Sequence, residues 1–366
     1  MASLGFGPGG GGPFNFDYNL AQNDPEKPPL PYREGLRFQI TQHIPPPPFG
    51  PEYVNDGQGR LVVPWDERQG FRTPARFCLH NSFRTTPPHP DKSTRTLQVV
   101  EEIATGDRRG SQVVCCRADD CPDELLVAKI YDPLYYDYLD TDPVFEAEFH
   151  YSREAAAYKR LHMVGADGIH VPEYYGSWTF RMPFNGLALQ SKTREVRMIL
   201  IEYIPGTSIS SLLNNGVFTQ HKEGRGAKQK VRHLLVTQCR IDGIEKHLQL
   251  DLKARLHVLR RAAELYTLLL VIGVNQADLA YRNMLVTAVP DSGDPEIILT
   301  DLSHAFLLGT QRSTRPMLSE WPSPGRTAMF QDPNWDWVPE FDKSDEKYKA
   351  WVRTCWPEGT DSDGIA

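Results

Sequence analysis

Positive charge is in short supply in this chain of 366 residues, in which 40 lysine and arginine residues stand against 47 aspartate and glutamate residues. The formal net charge of −7 argues against non-specific nucleic-acid binding, which requires a basic surface. Long apolar runs are missing as well. The longest, from Leu268 to Val274, is far shorter than the roughly 20 apolar residues that a membrane-spanning helix needs. The composition therefore predicts a protein that binds no nucleic acid and spans no membrane.

A secretory signal is also missing, because the opening residues MASLGFGPGG contain neither a basic nor an apolar region. Cysteine is scarce, with six residues in the whole chain. Three of them, Cys115, Cys116 and Cys121, lie close together, but their spacing does not match the ligand spacing of common zinc sites. We interpret the cysteines as reduced thiols and expect an intracellular, cytoplasmic protein.

Proline, in contrast, is abundant and unevenly placed. Of the 30 prolines, 16 fall within residues 1–90, and the first residues are rich in glycine. We therefore predict a Pro/Gly-rich, partly disordered segment over residues 1–95, with short strand character at Leu36–Ile40 and Arg60–Trp65. The run Pro45–Pro48 favours a polyproline II helix. It is interpreted either as a stiff spacer or as a ligand for a module that binds proline-rich motifs.

From about residue 96 the pattern becomes that of a sheet accompanied by one helix. The helix is predicted over Phe145–Val164 from its alanine, glutamate and arginine content, with Pro143 just ahead of it and Asp142 as a cap. Its predicted apolar stripe consists of Phe149, Ala156, Leu161 and Val164. We take residues 96–204 as one lobe. Its five predicted strands are Thr96–Ala104, Ser111–Arg117, Glu124–Asp132, Pro172–Phe180 and Val196–Ile204.

The following residues, 205–357, are predicted to form a second lobe that is mainly helical, with a short tail at 358–366. A short helix is expected over Gly206–Asn215, followed by a polar insertion at about 216–250. A long helix is expected from Asp251 to Gly273, where the glycine suits a C-terminal cap. Two further strand-like runs, Asn283–Val289 and Glu296–Ser303, flank a turn and predict a β-hairpin.

Polar residues at special positions of these elements suggest a site. Lys129 lies inside an apolar strand and needs a buried partner, and Glu154 on the following helix is the obvious one. Asp278 and Asn283 lie five residues apart after the long helix, and Asp301 follows an apolar strand. Carboxylate and amide oxygens, together with substrate phosphates, are the ligands that Mg²⁺ accepts. Each residue also has a structural interpretation, as an ion pair, a loop cap or a turn residue.

Taken together, these motifs resemble the protein-kinase superfamily. VAKIYD around Lys129 resembles the strand whose lysine holds the α- and β-phosphates of ATP, and REAAAYKRL places Glu154 where the kinase helix pairs that lysine. NQADLAYRN resembles the catalytic loop, which implies Asp278 as the base and Asn283 as a magnesium ligand. TDLS resembles the DFG element, which implies Asp301 as the principal magnesium ligand.

The same resemblance assigns the remaining parts of a nucleotide site. MILIEYIPG resembles the hinge, whose backbone at Glu202, Tyr203 and Ile204 would hydrogen-bond adenine. The phosphate-binding loop corresponds to ATGDRRGSQV, which keeps Gly106 and Gly110 but not the full glycine spacing.

The sequence departs from the kinase pattern at three further points. Gln276 and Ala277 replace the usual His-Arg pair before the catalytic aspartate, and Ser303 replaces the last glycine of the DFG element. Ala280 replaces a phosphate-contacting lysine, and Arg282 is expected to supply the missing cation.

The resemblance implies an α+β, two-lobed, protein-kinase-like fold with a five-stranded N lobe and a shortened C lobe. It implies an ATP- and Mg²⁺-dependent phosphotransferase that acts on a hydroxyl of a protein or a small molecule. DLAYRN and DLSHA are most similar to kinase-like proteins of filamentous fungi, with distant similarity to aminoglycoside and choline phosphotransferases. The alternatives are a nucleotide-binding pseudokinase that acts as an interaction module, and an adaptor that works through its proline-rich segment.

Overall fold

The computed structural model describes residues 23–53, 59–91, 93–186, 189, 191–215, 217–220, 230–238, 246–288, 294–309 and 346–356. The predicted tail at 358–366, the first 22 residues and parts of the predicted insertion lie outside these ranges. None of the helices within them is both long enough and apolar enough to cross a membrane.

A closed antiparallel barrel of six strands forms the first part of the fold. The sequence predicts five strands here, and that number is wrong because a strand from the proline-rich segment completes the sheet. This strand, β1, pairs with β2 on one side and β5 on the other, and buries Ile40 opposite the β2 strand. Closure leaves no unpaired edge. The barrel strands are β1 (Arg37–Gln42), β2 (Thr94–Ala104), β3 (Gln112–Ala118), β4 (Cys121–Tyr131), β5 (Tyr174–Pro183) and β6 (Thr193–Glu202).

Two short helices precede the main part of the barrel. The strand expected at Arg60–Trp65 is absent, since helix α1 (Trp65–Gln69) begins directly after Pro64. Helix α2 (Pro74–His80) begins with proline, and the Thr73 side chain accepts a hydrogen bond from the Arg76 amide as its cap. Helix α2 packs against the 3₁₀ turn Pro133–Tyr135 that follows β4.

Helix α3 (Pro143–Met163) confirms the helix predicted in this region. Asp142 caps it by accepting hydrogen bonds from the amides of Val144 and Phe145. The predicted stripe is only partly correct, because Val164 lies beyond the helix and is about half exposed. The apolar residues of α3 that lie fully in the core are Val144, Ala147, Tyr151, Ala155, Ala157, Tyr158 and Leu161.

The second part of the described chain is mixed, where the sequence predicts mainly helix. Its described residues hold three helices and eight short strands. Strands β8, β9 and β10 form an antiparallel sheet inside the predicted insertion. The elements are β7 (Thr207–Ser208), α4 (Ile209–Asn215), β8 (Val217–Gln220), β9 (Lys230–Gln238), β10 (Lys246–Leu250), α5 (Leu252–Ile272), β11 (Val274–Asn275), β12 (Met284–Ala288), β13 (Pro295–Leu299), β14 (Phe306–Leu307) and α6 (Glu346–Cys355).

Helix α5 and the hairpin β12–β13 match the elements predicted for this region. Asp251 caps α5 by accepting from the Ala254 amide, and Gly273 ends it with a φ of 97°. This left-handed conformation is easily adopted by glycine. Strand β11 then leads into a loop that ends in the 3₁₀ turn Tyr281–Asn283, directly before β12. The loop and the end of β13 are thereby placed next to each other.

Candidate active site

Three charged side chains meet between the barrel, helix α3 and the end of β13. Lys129 extends from β4, and its Nζ lies 2.6 Å from Glu154 Oε2 and 2.6 Å from Asp301 Oδ1. Lys129 and Glu154 are buried, whereas the Asp301 side chain is 37% exposed. The structure therefore brings together three of the residues that the sequence analysis selected, and one of the two carboxylates faces solvent.

Glu154 is fixed by two further donors. The Tyr131 hydroxyl donates to its Oε2 at 2.6 Å, and the backbone amide of Leu302 donates to its Oε1 at 3.0 Å. Both carboxylate oxygens are thus occupied, which is what a fully buried charge requires. Because Leu302 directly follows Asp301, this contact ties helix α3 to the segment that carries the exposed carboxylate.

The proximity of these charges controls their protonation. Burial alone would raise the pKa of Asp301, but the Lys129 charge and the hydrogen bonds from Lys129 and Ser303 hold that pKa well below its ordinary value. Burial works against the charged form of Lys129, yet the two carboxylates together raise the pKa of Lys129. Lys129 is therefore a cation and Asp301 an anion at neutral pH.

Asp301 has an unusual backbone conformation, with a φ of 58°. Its left-handed geometry is uncommon for residues other than glycine and is tolerated best by aspartate and asparagine. Neighbours hold it in place: the Ser303 hydroxyl donates to Oδ1 at 2.6 Å, and the Gln276 amide donates to the Asp301 carbonyl at 2.8 Å. Strained residues of this kind concentrate at functional sites.

The loop after β11 brings Asp278, Arg282 and Asn283 together. Arg282 Nη2 donates to Asp278 Oδ2 at 2.5 Å, and the Asn283 side-chain amide donates to the same oxygen at 3.1 Å. The loop is joined to the Asp301 segment by the Thr300 amide, which donates to the Asn283 carbonyl at 2.8 Å.

Two side-chain oxygens of this arrangement are of the kind that Mg²⁺ accepts as ligands. Every hydrogen bond that the Asp301 side chain accepts within the described residues goes to Oδ1, which leaves Oδ2 as a ligand atom. The Asn283 amide nitrogen donates twice to Asp278, which leaves Asn283 Oδ1. Among the residues the structure describes, no cluster of three or more His, Cys, Asp or Glu side chains could hold a metal. A metal ion at these two oxygens would need waters or phosphate oxygens as further ligands.

The loop between β2 and β3 contains both predicted phosphate-binding glycines, but a buried glutamine holds it. Gln112 accepts from the Gly106 amide at 2.7 Å and donates to the carbonyls of Gly106 and Gly110 at 2.9 Å each. Arg108 pairs with Asp137 at 2.6 Å. The Gly106 amide is thus used inside the fold.

The predicted hinge leads from β6 to β7. The Glu202 amide donates to the Glu173 carbonyl at 2.9 Å, and Tyr203 and Ile204 follow as half-buried residues between the two strands. Gly206 passes so close to β12 that an added Cβ would lie 2.9 Å from the Val286 carbonyl oxygen. The predicted hinge is therefore held directly against the hairpin that follows the loop of Asp278.

Several residues contribute to the site in ways that the sequence does not predict. Tyr131 gives no signal in the sequence, because a tyrosine at the end of a strand has the pattern of a core residue. The sequence identifies Gln276 and Ser303 as departures from the kinase pattern, and in the structure both hold Asp301 in place. Polar side chains directly beside an isolated acidic residue are the signal that could have identified them.

Comparisons with known proteins add little to this picture. No protein-family model matches the chain, and no curated protein matches it. Solved structures that resemble it include two of the Mycobacterium tuberculosis PknI kinase domain. A double mutant of that domain matches with a TM-score of 0.32 and 15% identity over 58% of this chain, and this chain spans 62% of it. The other structure has a TM-score of 0.33 and 14% identity over 68% of this chain and 77% of that one. Because both TM-scores lie below 0.5, the interpretation of the site rests on the chain's own residues.

Proposed function

We propose that this protein is a kinase-like phosphotransferase that transfers the γ-phosphoryl group of Mg²⁺-bound ATP to a hydroxyl group. The observation that carries the proposal is Lys129, a buried cation held at 2.6 Å by both Glu154 and the partly exposed Asp301. A structural ion pair needs only one carboxylate. A lysine fixed between two of them, one facing solvent, is suited to receive phosphate oxygens beside a metal ligand.

Each side chain then has a defined task. Lys129, oriented by Glu154, binds the α- and β-phosphates, and Asp301 with Asn283 holds magnesium, which neutralises charge on the phosphates. Asp278 accepts the hydroxyl proton or orients the nucleophile through its Oδ1, since the hydrogen bonds of this carboxylate within the described residues go to Oδ2. Arg282, whose side chain is 63% exposed, offers a cation to the transferring group. Such positioning and charge stabilisation supply most of the rate enhancement in phosphoryl transfer.

One observation favours a second candidate, a nucleotide-binding pseudokinase without turnover. The Gln112 side chain accepts a hydrogen bond from the Gly106 amide, which in a complete glycine-rich loop would contact a phosphate. Gln112 also donates to the Gly106 carbonyl, so the loop is bound within the fold. In this alternative the Lys129 site binds ATP as a structural ligand. The acceptor, the adenine contacts at Glu202, Tyr203 and Ile204, and the similarity to fungal and aminoglycoside phosphotransferase-like proteins stay predictions from the motifs.

The test is magnesium-dependent ATP consumption by the full chain, with pools of proteins and of small hydroxyl compounds as acceptors. Asp278→Asn is the catalytic variant. Asp119→Asn is the matched control, since within the described residues the Asp119 side chain pairs with Arg37 in an exposed ion pair. Turnover in the wild type and in Asp119→Asn, together with its loss in Asp278→Asn, supports the enzyme. ATP binding without turnover in all three supports the pseudokinase, and the absence of ATP binding contradicts both.

A further inference from the structure

The proline-rich run Pro45–Pro48, interpreted above as a spacer or as a ligand for a binding module, continues into a segment that packs on the fold. It leads into residues 49–53, which lie on helix α3 and are called the strap here. Phe49 packs edge-on against Phe145 and Phe149, with ring centroids 5.3 and 5.8 Å apart. At Gly50 an added Cβ would lie 2.7 Å from Phe149 and 2.9 Å from Arg153. The strap therefore approaches the helix as closely as only a glycine permits.

Arg153 is the residue of helix α3 that forms an ion pair with the strap. It lies beside Glu154 on helix α3 and is 2% exposed. Its Nη1 lies 2.7 Å from Glu52 Oε2 in the strap. Its Nε donates to the Ala305 carbonyl at 2.9 Å, and Nη2 donates to the His304 carbonyl at 3.3 Å. One guanidinium thus joins the strap, the glutamate-bearing helix and the segment directly after Asp301.

A second contact runs from the strap to the same segment without passing through Arg153. The Tyr53 hydroxyl accepts a hydrogen bond from the Leu307 amide at 3.0 Å. Leu307 lies in β14, which pairs with β11 just ahead of the Asp278 loop. The strap is therefore connected to both sides of the candidate active site through residues that touch none of the proposed ligand atoms.

We propose that Glu52 and Tyr53 are positioning residues: the strap holds helix α3 and the 301–307 segment in the arrangement that places Asp301 on magnesium. The proposal rests on the proposed function of the site. Arg153 is almost fully buried, and a buried guanidinium without its carboxylate is strongly disfavoured. Loss of Glu52 therefore favours arrangements in which Arg153 leaves the carbonyls of His304 and Ala305 and reaches water.

The experiment compares Glu52→Gln and Tyr53→Phe with Glu26→Gln in the full chain. Glu26→Gln is the matched control. Glu26 also precedes strand β2, but it pairs at 2.8 Å with Arg76 of helix α2 and not with a residue of helix α3. ATP affinity is measured with magnesium and with EDTA, and the ratio of the two dissociation constants is the magnesium increment. We expect this increment to fall roughly tenfold in both strap variants and to stay unchanged in the control. An equal increment in Glu52→Gln and Glu26→Gln overturns the proposal.

A nucleotide-independent readout separates this proposal from the proposed function. The Leu302 amide is protected by its hydrogen bond to Glu154, so its hydrogen exchange reports whether helix and segment stay together. If the wild type binds no ATP, the proposed function fails. Faster hydrogen exchange at the Leu302 amide in Glu52→Gln than in Glu26→Gln then still supports a positioning role of the strap. Equal exchange in the two variants overturns that role.

Discussion

Replacement of Asp301 by asparagine is the most direct probe of the proposed site. Asparagine is preferred to alanine because the φ of 58° at this position suits Asp and Asn, whereas alanine would add about 1–2 kcal/mol of backbone strain. The variant removes the charge that faces magnesium and one of the two anions that hold Lys129. Glu154 still pairs with Lys129, so we expect a folded protein of lower stability.

The expected loss can be estimated from binding linkage. Ligand at a hundred times its dissociation constant stabilises the native state by about 2.7 kcal/mol. If loss of the charged ligand weakens Mg²⁺-bound ATP a hundredfold, the same concentration contributes only about 0.4 kcal/mol. At about 2–4 °C per kcal/mol, the ligand-induced rise in Tm should drop from roughly 5–10 °C to about 1–2 °C.

Thermal unfolding with ATP, in magnesium and in EDTA, measures this rise, with Asp119→Asn as the control that should keep it. The same variant has a pH signature. The pKa of Asp301 is lowered in the fold, so its contribution to stability is present above its ordinary pKa of 3.8 and is lost as pH falls through the lowered value. Asp301→Asn should lack that acid-dependent part. A full magnesium-dependent shift in Asp301→Asn would refute the assignment of Asp301 as a metal ligand.

Three further predictions follow from other contacts. Asp278→Asn should keep the ATP-induced shift but lose roughly 10²–10⁴ in turnover; unchanged turnover in a purified variant would indicate a contaminating kinase. Gly50→Ala should lower Tm more than Gly35→Ala. Both glycines have a positive φ, but only at Gly50 would an added Cβ lie within 3 Å of helix α3. Equal losses of Tm in the two variants would argue against the close approach. Burial lowers the pKa of His43 and of His150 from the ordinary 6.5 to about 3. Between these pH values the unfolded chain binds protons that the folded protein does not, so the free energy of unfolding in urea should decrease as pH falls from about 6.5 towards 3. His150→Gln should lessen that decrease, and an identical slope would contradict it.

The central ion pair could be predicted because its signal is local. A lysine within an apolar strand cannot be buried without a carboxylate, and the next helix offers Glu154 at a suitable place. The same holds for Asp278 and Asn283, whose spacing lies within one loop. The structure adds Tyr131, which no local pattern distinguishes from an ordinary core tyrosine.

The strap could not be predicted, because its contacts join residues far apart in the chain. Glu52 and Arg153 are separated by 101 positions, and no sequence pattern links the two residues. The predicted apolar stripe of α3 is partly wrong for a related reason. The helix is covered on more than one side, by the barrel and by the strap, so Arg153 and Glu154 are buried as completely as Ala155.

The strand β1 shows a third limit. Its sequence has strand character, but only the register of the whole sheet decides that Phe38 lies opposite Leu97 and that Thr41 lies opposite Thr179. Pairing with two distant strands is a tertiary property. A boundary near residue 95, placed by proline content, therefore separates β1 from the barrel that it closes.

The short segment 300–305 contacts the barrel, helix α3 and the loop of Asn283 at the same time. Thr300 is bound to the loop of Asn283, and Asp301 to Lys129 of the barrel. The Leu302 amide donates to Glu154 on helix α3. The carbonyls of His304 and Ala305 accept hydrogen bonds from Arg153, which also pairs with Glu52 in the strap. Since these partners come from different parts of the chain, a shift of the segment changes all of these contacts together. Substitutions in the strap, the helix and the loop should therefore be energetically coupled, even where the substituted residues do not touch.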